Sequence, residues 1–312
     1  MNFKIEQQIG ARFKLIKHKG NPDKSHYESG WSNNLVLDSG LNRMSVGTWI
    51  DRLSVGSGSS TPIPSQTGLD NRIATTTDRQ DWQPILNTTE DPIWYGIRMR
   101  YRFAEGVAAG NLSEVGLGWA DNSMWNRALI RDQDGTPVTV TVLSDEFLDV
   151  ITEIKVYPLM SFNGSFTLRN KDGQPISSHT YLGRTILPDS SQIYPTFGRV
   201  EFTGNWSSKP MQISPNQLTA GYSDNGGSGI YHSRNGQTST WPTTTSHRQT
   251  VNLYLDTNNY SHKSMSVYLS GLIVGSYPNI GYKWEINPPI TKTNLNTMTY
   301  SFEISWSRYT GV

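Results

Sequence analysis

The chain has 312 residues, 27 Lys and Arg against 26 Asp and Glu for a formal net charge of +1, ten Trp, fifteen Tyr and no cysteine. The length allows two domains or one large β domain, and the near-cancelling charge argues against a global electrostatic grip on nucleic acid or an anionic membrane. Without cysteine, a disulfide scaffold and a thiolate metal site are excluded, so packing alone must hold the fold. Apolar residues come in short alternating runs among Gly, Ser, Thr and Asn, which predicts an all-β chain with little helix.

Residues 1–13, MNFKIEQQIGARF, lack the uninterrupted apolar core of a signal peptide, and the most apolar window, YLSGLIVGSY at 268–277, is too short to span a bilayer. Neither export by the usual route nor membrane insertion is expected, so the Asn-x-Ser/Thr sites at Asn87, Asn111, Asn163, Asn205 and Asn259 read as turn chemistry. The first predicted strand is ARFKLIKHKG, 11–20. Its Lys14, Lys17, His18 and Lys19 read as a solvated edge strand on which lysines discourage stray pairing. A short buried strand at 35–37 ends in the turn Asp38-Ser39-Gly40.

The stretch 46–73, VGTWIDRLSVGSGSSTPIPSQTGLDNRI, organises the first half as a strand, a Gly-Ser turn, a proline-stiffened loop and a second short element. Gly56 and Gly58 are followed by Thr61-Pro62, where a dinucleotide fingerprint needs a third glycine and an opening helix, so this is a structural turn. Residues 74–93 read as a polar loop. Next comes the clearest strand, GIRMRYRF at 96–103. Ile97, Met99, Tyr101 and Phe103 face one way, and Arg98, Arg100 and Arg102 the other. The arginines suit phosphate or an acidic sugar, or acids on a neighbouring strand; Asp149 and Glu153, on one face of a later strand, favour cross-strand pairing. RDQDGTP, 131–137, starts like a calcium loop but lacks the later oxygen ligands, which predicts a hairpin with Asp-Gly at its tip.

Four segments in fixed order carry a family resemblance: VGSGSSTPIPSQTGL (55–69), NLSEVGLGW (111–119), NRALI (126–130) and TPVTVTVLSDEFLDVITEIKVYP (136–158). Together they resemble tail-fibre and other tail structural proteins of tailed bacteriophages, over roughly residues 30–158, with the last strand at 302–306 echoing the pattern. The resemblance implies a virion component made in the host cytoplasm, without enzymatic activity or cofactor. It also implies self-association, a trimer being the first choice, and partners among other phage tail proteins.

YPLMSFNGSF, 157–166, breaks the alternation, and the expected organisation is two sandwich-like antiparallel β domains with long loops. Residues 1–160 form a virion-assembly domain and 161–312 a C-terminal domain carrying recognition loops. Strands are predicted at 165–169, 198–203, 250–256, 264–274 and 298–307; in the last, Met298, Tyr300, Phe302, Ile304 and Trp306 share a face. Between them, 203–249 is polar loop with aromatic tips. The candidate receptor- or ligand-binding residues are Trp206, Tyr222, Tyr231 and Trp241, with His232 and Arg234 as polar partners. Such rings stack on sugars or anchor protein interfaces, and equally they can cover a core from above. Scattered histidines without a third ligand define no metal site, and neither a thiol nucleophile nor a Gly-x-Ser-x-Gly elbow is present. Three function classes follow: a structural tail protein, a module binding a host-surface glycan or protein, and a polysaccharide-degrading tailspike, whose two carboxylates the sequence does not bring to a common site.

Overall fold

The structure, a computed structural model, describes residues 2–21, 24–203, 211–218, 221–222, 230–231, 236–275 and 280–311. Among them are 24 strands, one six-residue helix, Asp38–Arg43, and one single-turn 3-10 segment, Ser190–Gln192; the chain is all-β, as its alternation predicts. It divides into two compact units. One comprises Gln8–Tyr157, Phe197–Arg199 and Trp306–Val312; the other comprises Met1–Gln7, Pro158–Thr196 and Val200–Ser305. This differs from a single cut at residue 160, because each end of the chain is counted with the opposite half.

In the first unit, most of Asn2–His18, then Phe147–Pro158, Trp94–Phe103 and Arg79–Asn87 are neighbours in that order. The N-terminal strand is longer than the sequence suggests and is not an edge: it also pairs with Ser25–Glu28 and Ser32–Asn33. Its lysines meet acids, with Lys14 Nζ 2.6 Å from Glu28, Lys17 Nζ 3.1 Å from Glu146 and Lys19 Nζ 2.7 Å from Asp145. His18 is buried 3.6 Å from Asp149. The reading of a solvated edge is therefore corrected. Residues 74–93 are corrected too, since Arg72–Thr76 and Arg79–Asn87 are strands. The latter is an edge strand, largely exposed along its length, so it carries no alternation, and its Pro84 is tolerated there.

A second sheet of this unit runs Leu35–Val36, Asn126–Leu129, Glu114–Ala120, Arg52–Gly56, Arg72–Thr76. Asp38-Ser39-Gly40 opens the short helix instead of a turn. Gly40 fits there because a Cβ would fall 2.2 Å from the Trp125 carbonyl oxygen. Trp49 anchors the core beneath, its ring 5.0 Å from both Trp125 and Phe197.

The second unit is sandwich-like. One layer orders Ser161–Arg169, Pro175–Ile186, Gly281–Thr291, Ser261–Ser270, Met211–Ser214 and Ile230–Tyr231. The other contains Gln237–Thr240, Ser246–Leu253 and most of Met298–Arg308. Alternation places Tyr300, Phe302 and Ile304 inward, and Trp284 of the first layer meets Phe302 at 5.2 Å and Phe3 at 4.6 Å. Gln7, polar at an inward position, donates its amide to the Tyr282 hydroxyl at 3.0 Å.

Candidate functional site

Three of the six residues singled out in the sequence, Trp206, His232 and Arg234, lie outside the described residues. Tyr231 is described by its backbone, which pairs with Gln212. Tyr222 is exposed, and its carbonyl accepts from the Leu187 N–H at 3.0 Å. Trp241 is half-buried, with its ring 4.8 Å from the ring of the buried His247.

The described residues gather chemistry elsewhere, on the outer face of the first unit's sheet. Period-two alternation puts Arg98, Arg100 and Arg102 on this face, and register sets Arg102 opposite Asp149 and Arg98 opposite Glu153. The predicted cross-strand pairs form. Arg102 reaches Asp149 with two bonds of 2.7 Å, and Arg98 Nε donates to Glu153 at 2.9 Å. Glu153 also accepts from Arg12 Nε at 2.6 Å, and Lys155 Nζ stands 3.7 Å away. Burial works against the Glu153 charge, but Arg12 and Arg98 outweigh it and hold the carboxyl below the usual range.

Members of this ion group line two open hollows. The first, about 420 Å³, is lined by Trp31, Trp82, Lys14, Arg98, Arg100 and Asp81 among others. The second, about 310 Å³, is lined by Arg12, Asn33, Asn34, Glu153, Lys155, Tyr157 and Tyr309 among others. Rings and cations interleave throughout: the Arg12 guanidinium lies 4.2 Å over Trp31, Lys155 Nζ 4.0 Å over Trp94, and Tyr157 stacks on Tyr309 at 3.6 Å. Burial chiefly, and then the nearby Arg12, lower the Lys155 pKa, against the opposing pull of Glu153. Chemically, such a face offers donors, positive charge and flat apolar surface.

Sequence reasoning missed most of this. The polar-face pattern that yields Asp149 and Glu153 continues to Lys155 and Tyr157, a signal within reach. Tyr309 gives no such signal, because its N–H bonds the carbonyl of Ile9 at the far end of the chain.

A further hollow, about 460 Å³, lies in the second unit and is lined by Tyr181, Leu182, Arg184, Gln217, Glu285 and Asn287 among others. Each of these three hollows is lined by one carboxylate: Asp81, Glu153 or Glu285. In the same unit Ser177 Oγ lies 2.7 Å from His179 Nε2, with His179 Nδ1 held by the Pro288 carbonyl at 2.6 Å. Two residues apart on one strand, they share a face, and that spacing alone brings them together.

The turn at 56–71 is built around a buried carboxylate. Glu114 accepts N–H bonds from Gly58 at 2.8 Å, Asn71 at 2.9 Å and Asp70 at 3.1 Å, and a 2.7 Å bond from Arg127 Nε. Arg127, equally buried, reaches Asp70 at 2.6 Å. Burial opposes the Asp70 charge, yet the Ser60 hydroxyl and Arg127 outweigh it and lower the pKa. Gly58 is required because a Cβ would lie 2.5 Å from Glu114 Oε1.

Fold and site thus define an all-β protein carrying a cationic, aromatic surface face. Comparison with protein-family models, curated proteins and solved structures finds no match to this chain.

Proposed function

We propose that the chain is a non-enzymatic tail structural protein of a tailed bacteriophage, assembling with itself and with other tail proteins and contributing to host-surface attachment. One observation supports this reading above the others. Three of the four segments carrying the resemblance meet at one device: Gly58 and Gln66 from the glycine-rich turn, Glu114 from Ser-Glu-Val-Gly-Leu and Arg127 from Asn-Arg-Ala-Leu are joined by the bonds of the buried clamp. A physical reason therefore exists for those segments to occur together, since the strand supplies the carboxylate that the turn's N–H groups and the arginine require.

The tailspike alternative needs two carboxylates flanking one bond. Each hollow described offers one, and Glu153 is tied to two arginines. That favours binding over hydrolysis, so the carbohydrate-binding module is the stronger alternative. Antibody against the purified chain, applied to intact particles of the encoding phage, should decorate the tail. Absence of the chain from purified particles by mass spectrometry would overturn the virion reading, and release of reducing sugar from host polysaccharide would restore the tailspike.

A further inference from the structure

The hollow beside Lys155 presents positive charge that the protein's own groups leave partly unused. Glu153 is one carboxylate among Arg12, Arg98 and Lys155; the two arginines take its oxygens at bonding distance, and Lys155 Nζ is left 3.7 Å from it and 4.0 Å over the Trp94 ring. Three cations around one carboxylate leave a surplus of positive charge, which an acceptor-rich anionic group beside Lys155 offsets.

Beside these donors the Tyr157–Tyr309 pair is stacked with its rings 7° from parallel, a rigid flat wall suited to the C–H face of a pyranose. The hollow measures about 310 Å³, at the lower end of small-ligand sites. The net charge of +1 provides no long-range field for a polyanion such as nucleic acid. We infer that the hollow bounded by Asn34, Lys155, Tyr157 and Tyr309 binds an acidic saccharide, its carboxylate or sulfate received by Lys155 and its ring lying on the tyrosine pair. The inference rests on the attachment part of the proposed function and not on membership of a virion.

The test uses the purified full chain and calorimetric titration with tri-galacturonate, a sulfated trisaccharide and neutral maltotriose. One or both acidic sugars bind, maltotriose does not, and affinity falls as NaCl rises from 20 to 150 mM, because screening shortens the reach of the exposed charges. Lys155→Met and Tyr309→Ala each weaken binding about tenfold or more, with far-UV circular dichroism unchanged. If one variant fails to fold, the other carries the test. Equal binding of maltotriose, unaltered affinity in a folded variant, full competition by inorganic sulfate at equal concentration, or tighter binding of oligothymidylate would each overturn the inference. Particle labelling is independent of these outcomes, so a chain absent from virions yet binding acidic sugar refutes only the virion reading.

Discussion

Glu114 is a fully buried carboxylate whose hydrogen bonds come from three backbone N–H groups and one guanidinium, and nothing in its local sequence announces it. In Asn-Leu-Ser-Glu-Val-Gly-Leu-Gly-Trp it sits on a strand where an acid ordinarily faces water. Its partners lie at sequence separations of 13 to 56 residues, which no period-two reading can connect. Replacing it by Gln keeps the shape but turns an N–H₂ towards donors. Replacing Arg127 by Met leaves a buried charge short of its counter-ion. Each change is expected to cost about 3–5 kcal/mol, the range for breaking one side of a buried pair. Urea unfolding measures this, and the double variant should lose clearly less than the sum, because the groups act on one another. Additive losses would mean that Glu114 and Arg127 stabilise separate features.

Elements were legible where one face is core and the other is not, except that Gln7, polar at an inward position, hides the first half of Asn2–His18. The strands Trp94–Phe103 and Met298–Arg308 and the Asp-Gly hairpin follow from their own residues; Gly135 adopts a φ of +83° at the tip, and Asp132 Oδ1 accepts the N–H of Asp134 and Thr136. The exposed edge strand Arg79–Asn87 was not legible, since neither of its faces is core. His262 is another element-scale feature that the sequence hides. It stands on Ser261–Ser270 of one layer and bonds Tyr300 of the other at 2.6 Å, with Nε2 2.9 Å from the Asn258 carbonyl. A carbonyl can only accept, so Nε2 carries the proton and neutral Nδ1 receives the Tyr300 hydroxyl. Burial pushes the His262 pKa down from 6.5 to about 4. The unfolded chain therefore takes up the proton first, and stability is intact above pH 6.5 and falls by about 3 kcal/mol as pH drops to about 4. Glu146 supplies a second, lower window. Burial opposes its charge, but the Leu143 N–H, His26 and Lys17 outweigh it and lower its pKa from 4.5 to about 2, so its stabilisation is present above 4.5 and fades towards 2. Chemical denaturation across pH 2–8 should show both declines; His262→Gln should flatten the upper one and leave the lower. An unchanged slope between pH 6.5 and 4 would refute the assignment.

At the scale of the whole chain, the change of unit at Pro158 coincides with a visible break in the alternation, whereas the crossing-over of the termini does not show in composition at all. Among the described residues, each unit ends a sheet on an open strand: Arg79–Asn87 pairs with Trp94–Phe103, and Ser161–Arg169 pairs with Pro175–Ile186. Beside the second of these, Ile176 and Leu182 share one strand face and are 66% and 47% exposed. Unpaired edges flanked by exposed aliphatic residues are templates for strand addition unless something covers them. Lys and Pro, the usual guards, are scarce on Ser161–Arg169, whose single formal charge is Arg169. A second copy of the chain is the occupant that the proposed tail role supplies, with a trimer as first choice. Light scattering after size exclusion should therefore give a multiple of 35.0 kDa at micromolar concentration. Leu182→Lys combined with Ile176→Lys should shift the population towards monomer without loss of β-sheet signal, because neither side chain belongs to a core. A wild-type monomer under these conditions, or an oligomer indifferent to both lysines, would remove this face from the assembly.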